Sequence, residues 1–242
     1  EGKPFMANKL RVIPLGGAGE IGKNMMLFEY GRDILIVDCG SMFPENDMWG
    51  IDLVIPDFGY LRDKFDQIRG VILTHGHEDH TGALPYLLRE TSLIVYCTRL
   101  TRGLVEVKLD RAGVGDRATL QTIQAGERLR LGPFDLSFFA VNHSIPDGIG
   151  LAIRTPVGNV VHSGDFKLDL GVGLDSQLDM AGLAQLGGEG VSLLMADSTG
   201  AGRPGFTPPE RIVEDTFTRI FAEAPGRVIV ATFASLLSRV QQ

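Results

Sequence analysis

Short apolar runs separated by glycine dominate most of the chain. Residues 11–15 (RVIPL), 24–29 and 33–37 keep their apolar character over five or six positions, which suits a strand better than a helix. Tyr30-Gly31-Arg32-Asp33 between the last two has the composition of a hairpin turn. Residues 70–74 (GVILT) form the kind of apolar run found in a strand covered on both faces. Residues 82–89 place apolar side chains at helical spacing, with Pro85 early enough to lie in a first turn. A strand over 92–97 and a helix over 99–110 follow, then four more strands over 128–131, 134–141, 150–154 and 159–163 with Gly-Pro or Pro-Val-Gly punctuation between some of them.

From about Ser192 the pattern changes to strand, helix, strand over 192–196, 208–222 and 227–231, the opening of a parallel βαβ unit. Thr207 is the expected N-cap of its helix, with Pro208 at the first helical position and Glu210 completing a capping box.

Composition narrows the class. In a chain of 242 residues, 44% hydrophobic and 22% charged positions exclude disorder and coiled coil and allow one large domain or slightly more. The apolar runs are too short for a membrane span and the start carries no secretory h-region, so a cytoplasmic protein with no membrane partner is expected. Cys39 and Cys97 exclude a disulfide framework and read as buried thiols. A net charge of −7 argues against a protein that coats nucleic acid nonspecifically, yet leaves room for a nuclease whose positive potential comes from bound ions. Arg99, Arg102, Lys108 and Arg111 give the 99–110 helix a basic face, diluted by Glu106 and Asp110, that reads as solvated.

Three of the five histidines fall within Thr74-His75-Gly76-His77-Glu78-Asp79-His80, directly after the apolar run 70–74. Donors so closely spaced on a loop leaving a strand can aim at one point, and neutral imidazole with carboxylate suits zinc, manganese or iron. His143 follows strand 134–141 and Asp165 follows strand 159–163, adding donors at two more strand ends. Two cations a few ångström apart repel unless an anion lies between them, so a binuclear hydrolytic site needs about six donors with a bridging carboxylate.

The H-x-H-x-D-H loop with a later His and a later Asp resembles the metallo-β-lactamase superfamily. The resemblance implies an α/β fold, a four-layer αββα sandwich with its metals at one sheet edge. It also implies two divalent ions: His75, His77 and His143 on the first, Asp79 and His80 on the second, and Asp165 bridging. Asp38 matches the family's early aspartate, which supports the site loops by hydrogen bonds and binds no metal. The stretches LGGAGEIGKN (15–24), MFPE (42–45), GIDLVIPD (50–57), HSIPD (143–147), GDFK (164–167) and RPGFT (203–207) look like the ribonuclease J family of β-CASP-type RNA hydrolases, and the similarity runs from Leu10 to Gln242.

That resemblance implies residues 1–9 as an extension, 10–195 as a metallo-β-lactamase-like domain and 196–242 as the start of an incomplete βαβ-type β-CASP domain, the whole being an N-terminal portion of the family's chain. Asp197, within Ala196-Asp197-Ser198-Thr199, corresponds to the first acidic motif of the β-CASP region and joins Asp79 and Asp165 as a catalytic carboxylate. The implied activity is hydrolysis of RNA phosphodiesters, endonucleolytic or 5′ to 3′ exonucleolytic, by a hydroxide held between two metals. Zinc is the first expectation and manganese fits the same donors. RNA is the implied partner, with a homo-oligomer in the longer form.

Two departures from the family pattern matter. A further second-metal histidine and the later histidine motifs of the family have no counterpart here, so the second site is one ligand short and is expected to hold its ion weakly. Residues 233–239 (FASLLSR) keep the family's Phe-Ala-Ser and Arg but replace its polar residues with Leu236, Leu237 and Ser238.

Other readings are weaker. Gly17-Ala18-Gly19-Glu20-Ile21-Gly22 is a literal G-x-G-x-x-G with Asp38 beyond it, the signature of a dinucleotide-binding oxidoreductase. That motif must open a helix, and residues 23–37 hold two β-like stretches around a turn, so the glycines read as a tight loop near the metal site. A β-lactamase, thioesterase or lactonase would share the loop His75 to His80. Several zinc β-lactamases place a cysteine ligand late in the chain, where this sequence has Asp165. His162, three residues before Asp165, reads as a packing or supporting residue.

Overall fold

A computed structural model describes residues 9–168, 178–205, 209–233 and 240. Strands β1 (Leu10–Gly16), β2 (Met25–Tyr30) and β3 (Asp33–Val37) form an antiparallel meander. The 3-10 segment Phe58–Gln67 then leads to β4 (Ile68–Ile72), which lies parallel to β3. The short helices α1 (Glu78–Thr81) and α2 (Leu84–Glu90) cross to β5 (Leu93–Cys97), and α3 (Arg99–Ala112) crosses to β6 (Ala118–Thr122). The result is a six-stranded sheet in simple order β1-β2-β3-β4-β5-β6.

The second sheet is built from β7 (Arg128–Leu131), β8 (Phe134–Ala140), β9 (Ile149–Thr155) and β10 (Gly158–His162), all antiparallel. Beyond α4 (Met180–Glu189), β11 (Leu193–Met195) returns parallel to β10, giving the order β11-β10-β9-β8-β7. Helix α5 (Glu210–Glu223) follows.

Strand alternation explains the layering. In β2 to β5 successive side chains point to opposite faces. Leu27, Ile34, Ile36, Val71 and Val95 face the cluster that holds Leu84, Leu87, Leu88, Val105 and Leu109 of α2 and α3. Their neighbours Phe28, Leu35, Val37, Ile72 and Tyr96 face the other way, onto Phe134, Leu136, Phe138, Leu151 and Ile153 of the second sheet. That sheet repeats the rule: Phe139, Ala152 and Val161 turn outward to Leu186 of α4. Helices, sheet, sheet and helix make the αββα sandwich, and because β3 and β4 are covered on both faces over 34–37 and 70–72 those stretches are apolar throughout. Cys39 and Cys97 are both buried and unbridged.

Several expectations fail for physical reasons. Residues 227–231 are β-prone but form no strand, and Ile229 is 87% exposed; a strand exists only when a ladder partner is present. The helix starts at Glu210, with Pro209 as its N-cap instead of the expected Thr207. Thr207 and Pro208 lie outside the described residues, as do Ala234 to Arg239. Strand β6 (ATLQT) and α4 (MAGLAQLGGE) were not predicted, the first because an exposed edge strand is polar, the second because three glycines weaken the helical signal. None of the described helices is long and apolar enough to cross a membrane.

One polar contact tightens the packing of the first sheet. The Glu29 carboxylate, on β2, accepts hydrogen bonds from Tyr60 Oη at 2.6 Å, Lys64 Nζ at 3.1 Å and Arg11 at 3.2 Å. Burial pushes its pKa up, but Tyr60 and Lys64 outweigh that and hold it below the ordinary 4.5. A depressed carboxylate contributes stability that is present above its unfolded value and lost as pH falls through the folded one. Glu29→Gln is therefore expected to cost about 1 to 2 kcal/mol near pH 7 and progressively less as pH falls below the ordinary 4.5 through the folded value, read from denaturant unfolding at pH 7 and at acid pH. An equal cost at both would contradict the assignment.

Candidate metal centre

The parallel neighbours β3 and β4 end side by side, and there the chain turns out of the sheet. Asp38 follows β3, donates its N–H to the Ile72 carbonyl at 2.8 Å and takes a left-handed conformation, φ 62°. This is uncommon away from glycine, though aspartate tolerates it better than most residues. The turn carries the Asp38 carboxylate under the next loop. Oδ1 accepts the Thr74 N–H at 2.7 Å, Oδ2 accepts the Thr74 hydroxyl at 2.9 Å, and Oδ2 lies 2.8 Å from His80 Nδ1. With Nδ1 committed to Asp38, the Nε2 atom of His80 is the one left to face the centre.

His75 leaves β4 with its Nδ1 against the Thr74 hydroxyl at 3.1 Å. Its Nε2 stands 3.0 Å from His77 Nδ1, and His143 Nε2, arriving from beyond the end of β8, stands 3.2 Å from the same atom. The ring nitrogens of His75, His77 and His143 thus converge, and a second convergence joins His75, His80 and Asp165. Asp165 spans the two: Oδ1 lies 3.3 Å from His80 Nε2 and Oδ2 lies 3.7 Å from His143 Nε2. Asp79 Oδ2 is 3.6 Å from His80 Nε2.

The Asp165 turn depends on Gly164, whose φ of +59° and close approach to the Ile149 carbonyl leave no room for a side chain. His162 is turned into that turn, its Nδ1 accepting the Gly164 N–H at 3.1 Å, and it belongs to neither group of converging donors. Asp197 also stands outside both. Its N–H donates to Ser163 Oγ at 3.0 Å and its Oδ1 accepts the Thr199 N–H at 2.8 Å, while its charge is felt at His143.

The electrostatics suit cation binding. Burial holds His75 well below the usual histidine value, and burial with the nearby His143 pulls His77 to about 4. His143 is also lowered, mainly by burial. These three imidazoles are neutral near pH 7, the form that coordinates a metal. His80 differs. Burial opposes its charge, but Asp38 and Asp165 outweigh it and hold its pKa well above the usual value. Burial raises Asp79, whereas Asp165 is lowered because His80 outweighs its desolvation. Neutral imidazoles with two carboxylates form a donor set that fits zinc or manganese.

Two supporting residues escaped the sequence reading. Asn24 donates its backbone N–H at 2.9 Å and its side-chain amide at 3.1 Å to the Asp79 carbonyl, and its Nδ2 lies 3.1 Å from His80 Nε2. Its only sequence signal is that it closes the glycine loop. That loop has Gly17, Gly19 and Gly22 at positive φ and runs into β2, not into a helix, which removes the dinucleotide reading. The other is Lys108, assigned to a solvated helix face, whose side chain is 17% exposed and bonded to α1.

Comparison with known proteins identifies the family. The model of the metallo-beta-lactamase superfamily matches residues 18–230. The chain is 46% identical over 240 residues to ribonuclease J of Thermus thermophilus, covering 96% of this chain and 42% of that protein. It is 42% identical over 233 residues to ribonuclease J2 of Bacillus subtilis, again with 96% and 42% covered. It thus spans about two fifths of the length of the curated relatives it matches. Among solved structures, a protein of unknown function from Enterococcus faecalis V583 superposes with a TM-score of 0.69 at 18% identity, over 97% of this chain and 62% of that one, which speaks for the fold alone. With its family model matched along most of its length and its sheets stacked in the αββα order, this chain belongs to the metallo-β-lactamase superfamily.

Proposed function

We propose that this chain is the metal-bearing portion of a ribonuclease that hydrolyses RNA phosphodiesters. The observation that carries the reading is the position of Asp165, one carboxylate oxygen facing His80 and the other facing His143, as a bridge between two cations requires. His75, His77 and His143 are assigned to one ion, Asp79 and His80 to the other, and Asp165 to both. Zinc is preferred and manganese is compatible. Residues 10–195 are the metallo-β-lactamase-like domain in this reading, and 196–242 open a second, β-CASP-type domain. The similarity to ribonuclease J supports RNA as the substrate.

Two divalent ions held there would supply an activated water at neutral pH and would neutralise charge on the phosphodiester oxygens. The protein's own residues do the rest. His75, His77 and His143 offer lone pairs without first losing a proton near pH 7. Asp38 accepts the Nδ1 proton of His80 and so fixes which nitrogen is presented. Asp79 and Asp165 supply the anionic charge. Asp197, held by Ser163 and Thr199 near His143, is assigned the third catalytic carboxylate.

The test is incubation of the chain, beside a full-length relative, with 5′-labelled single-stranded RNA in Zn²⁺ or Mn²⁺, against a chelator control, and in parallel with a chromogenic cephalosporin and a thioester. Ion-dependent RNA cleavage, weaker than that of the full-length protein, is expected. Turnover of the cephalosporin or thioester with intact RNA would favour another hydrolase of the superfamily.

A further inference from the structure

We propose that Lys108 is a positioning residue for the half of the centre that carries Asp79 and His80. This rests on the metal-binding reading above and adds to it a part of the molecule remote in sequence from every proposed ligand. Helix α3 buries Thr101, Val105 and Leu109 against the outer face of the first sheet. Leu104 and Lys108, one helical turn apart, form a neighbouring stripe that runs along the loop from Gly76 to Thr81. At the near end, Leu104 is packed so closely on Gly76 that a Cβ there would lie 2.6 Å from Leu104 Cδ1. At the far end, the Lys108 ammonium donates to Glu78 Oε2 at 2.8 Å and to Thr81 Oγ1 at 2.6 Å. Thr81 Oγ1 in turn donates to the His77 carbonyl at 2.9 Å, so the lysine reaches the backbone of a proposed ligand through one hydroxyl.

Glu78 and Thr81 are the first and last residues of α1, and Asp79 and His80 are the two between them. A single helical turn does not hold itself. Its other edge is tied by the chain leaving β3, where Ser41 N–H donates to the Glu78 carbonyl at 3.0 Å and Cys39 N–H to the His80 carbonyl at 2.8 Å. Those bonds, with the two that Asn24 donates to the Asp79 carbonyl, fix one side; Lys108 holds both ends of the opposite side. A shift of that side displaces the turn that carries Asp79 and His80 while leaving His75 on β4's exit and His143 on the other sheet where they are. Loss of the ammonium therefore weakens the ion that takes both Asp79 and His80 from this turn more than the ion that takes only His77 from its edge, whereas damage to the fold weakens both alike.

The experiment is a two-step titration with Zn²⁺, and separately Mn²⁺, against a chromophoric chelator, together with thermal unfolding of the chelated protein. Lys108→Met keeps the aliphatic stem and removes the charge. It is expected to weaken the looser ion at least tenfold and the tighter one less than threefold, with Lys108→Arg recovering most of the loss. Arg111→Met, on the exposed side of α3, serves as the control and is expected to change neither. If Lys108→Met does not fold, Thr81→Val removes the hydroxyl relay and is read in the same way. A wild-type chain that takes up no second ion removes the two-metal reading on which this rests. Two ions in the wild type, with both affinities unchanged in Lys108→Met or both weakened alike, overturn the role of Lys108 alone.

Discussion

Replacing His77 with alanine is expected to lower ion-dependent hydrolysis by at least about a hundredfold and to release the tighter ion, while leaving the metal-free protein about as stable as before. Losing a partner of a ligand already costs about 10- to 100-fold in affinity or activity, and losing the ligand itself costs more. The fold has little to lose. His77 sits at the N-cap of α1 without a side-chain cap bond, and its ring meets His75 and His143, not the apolar core. The pH dependence gives an independent check. His77 titrates near 4 in the folded chain against an ordinary 6.5. Below about pH 6.5 the unfolded chain therefore takes a proton that the folded one refuses, and the metal-free protein loses stability as pH falls from there towards 4. His77→Ala removes that contribution, so its unfolding midpoint should decline less steeply over the same interval. Metal analysis after dialysis, RNA cleavage and midpoints at pH 7 and 5 are the measurements. Parent-level activity in a metal-defined buffer would end the ligand assignment.

What the sequence made legible follows from where each signal resides. All the strands but the polar edge strand β6 are readable because a strand covered on two faces is an apolar run, as in 34–37 and 70–73, and a half-covered one alternates. The donors are readable because they sit at strand ends, where side chains converge without need of a long-range contact pattern. Lys108 and Asn24 are not readable in this way. A lysine on a helix that also carries Arg99, Arg102 and Arg111 has the same local pattern whether it is solvated or buried, and only the placement of α1 against α3 decides between them. The strand expected at 227–231 shows the converse: β propensity is local, but pairing requires a neighbour. His162 illustrates the limit of spacing alone, since three residues from Asp165 on an extended strand places it near the centre yet aimed at the Gly164 backbone.

Asp38 offers the sharpest separation of stability from chemistry. It is 1% exposed and is the shared acceptor for the Thr74 N–H, the Thr74 hydroxyl and His80 Nδ1, so Asp38→Ala strands three polar groups in the interior. Breaking a buried charged contact on one side costs about 3 to 5 kcal/mol, and alanine adds strain at φ 62° because it tolerates that conformation less well than aspartate. Unfolding of the chelated protein should register a loss of that size. Asp38→Asn asks a different question. Asparagine accepts the left-handed conformation and its carbonyl oxygen can still accept the Thr74 N–H, so the fold should survive with a smaller loss. Its amide, however, faces His80 Nδ1 as a donor. That favours the tautomer with the proton on Nε2, the nitrogen proposed to bind the second ion. Asp38→Asn should therefore retain the tighter ion, weaken the looser one by about 10- to 100-fold, and lose hydrolysis in proportion. Equal binding of both ions by Asp38→Asn and the parent would show that Asp38 does not set the His80 tautomer, and an Asp38→Ala chain as stable as the parent would show that it does not hold the loop.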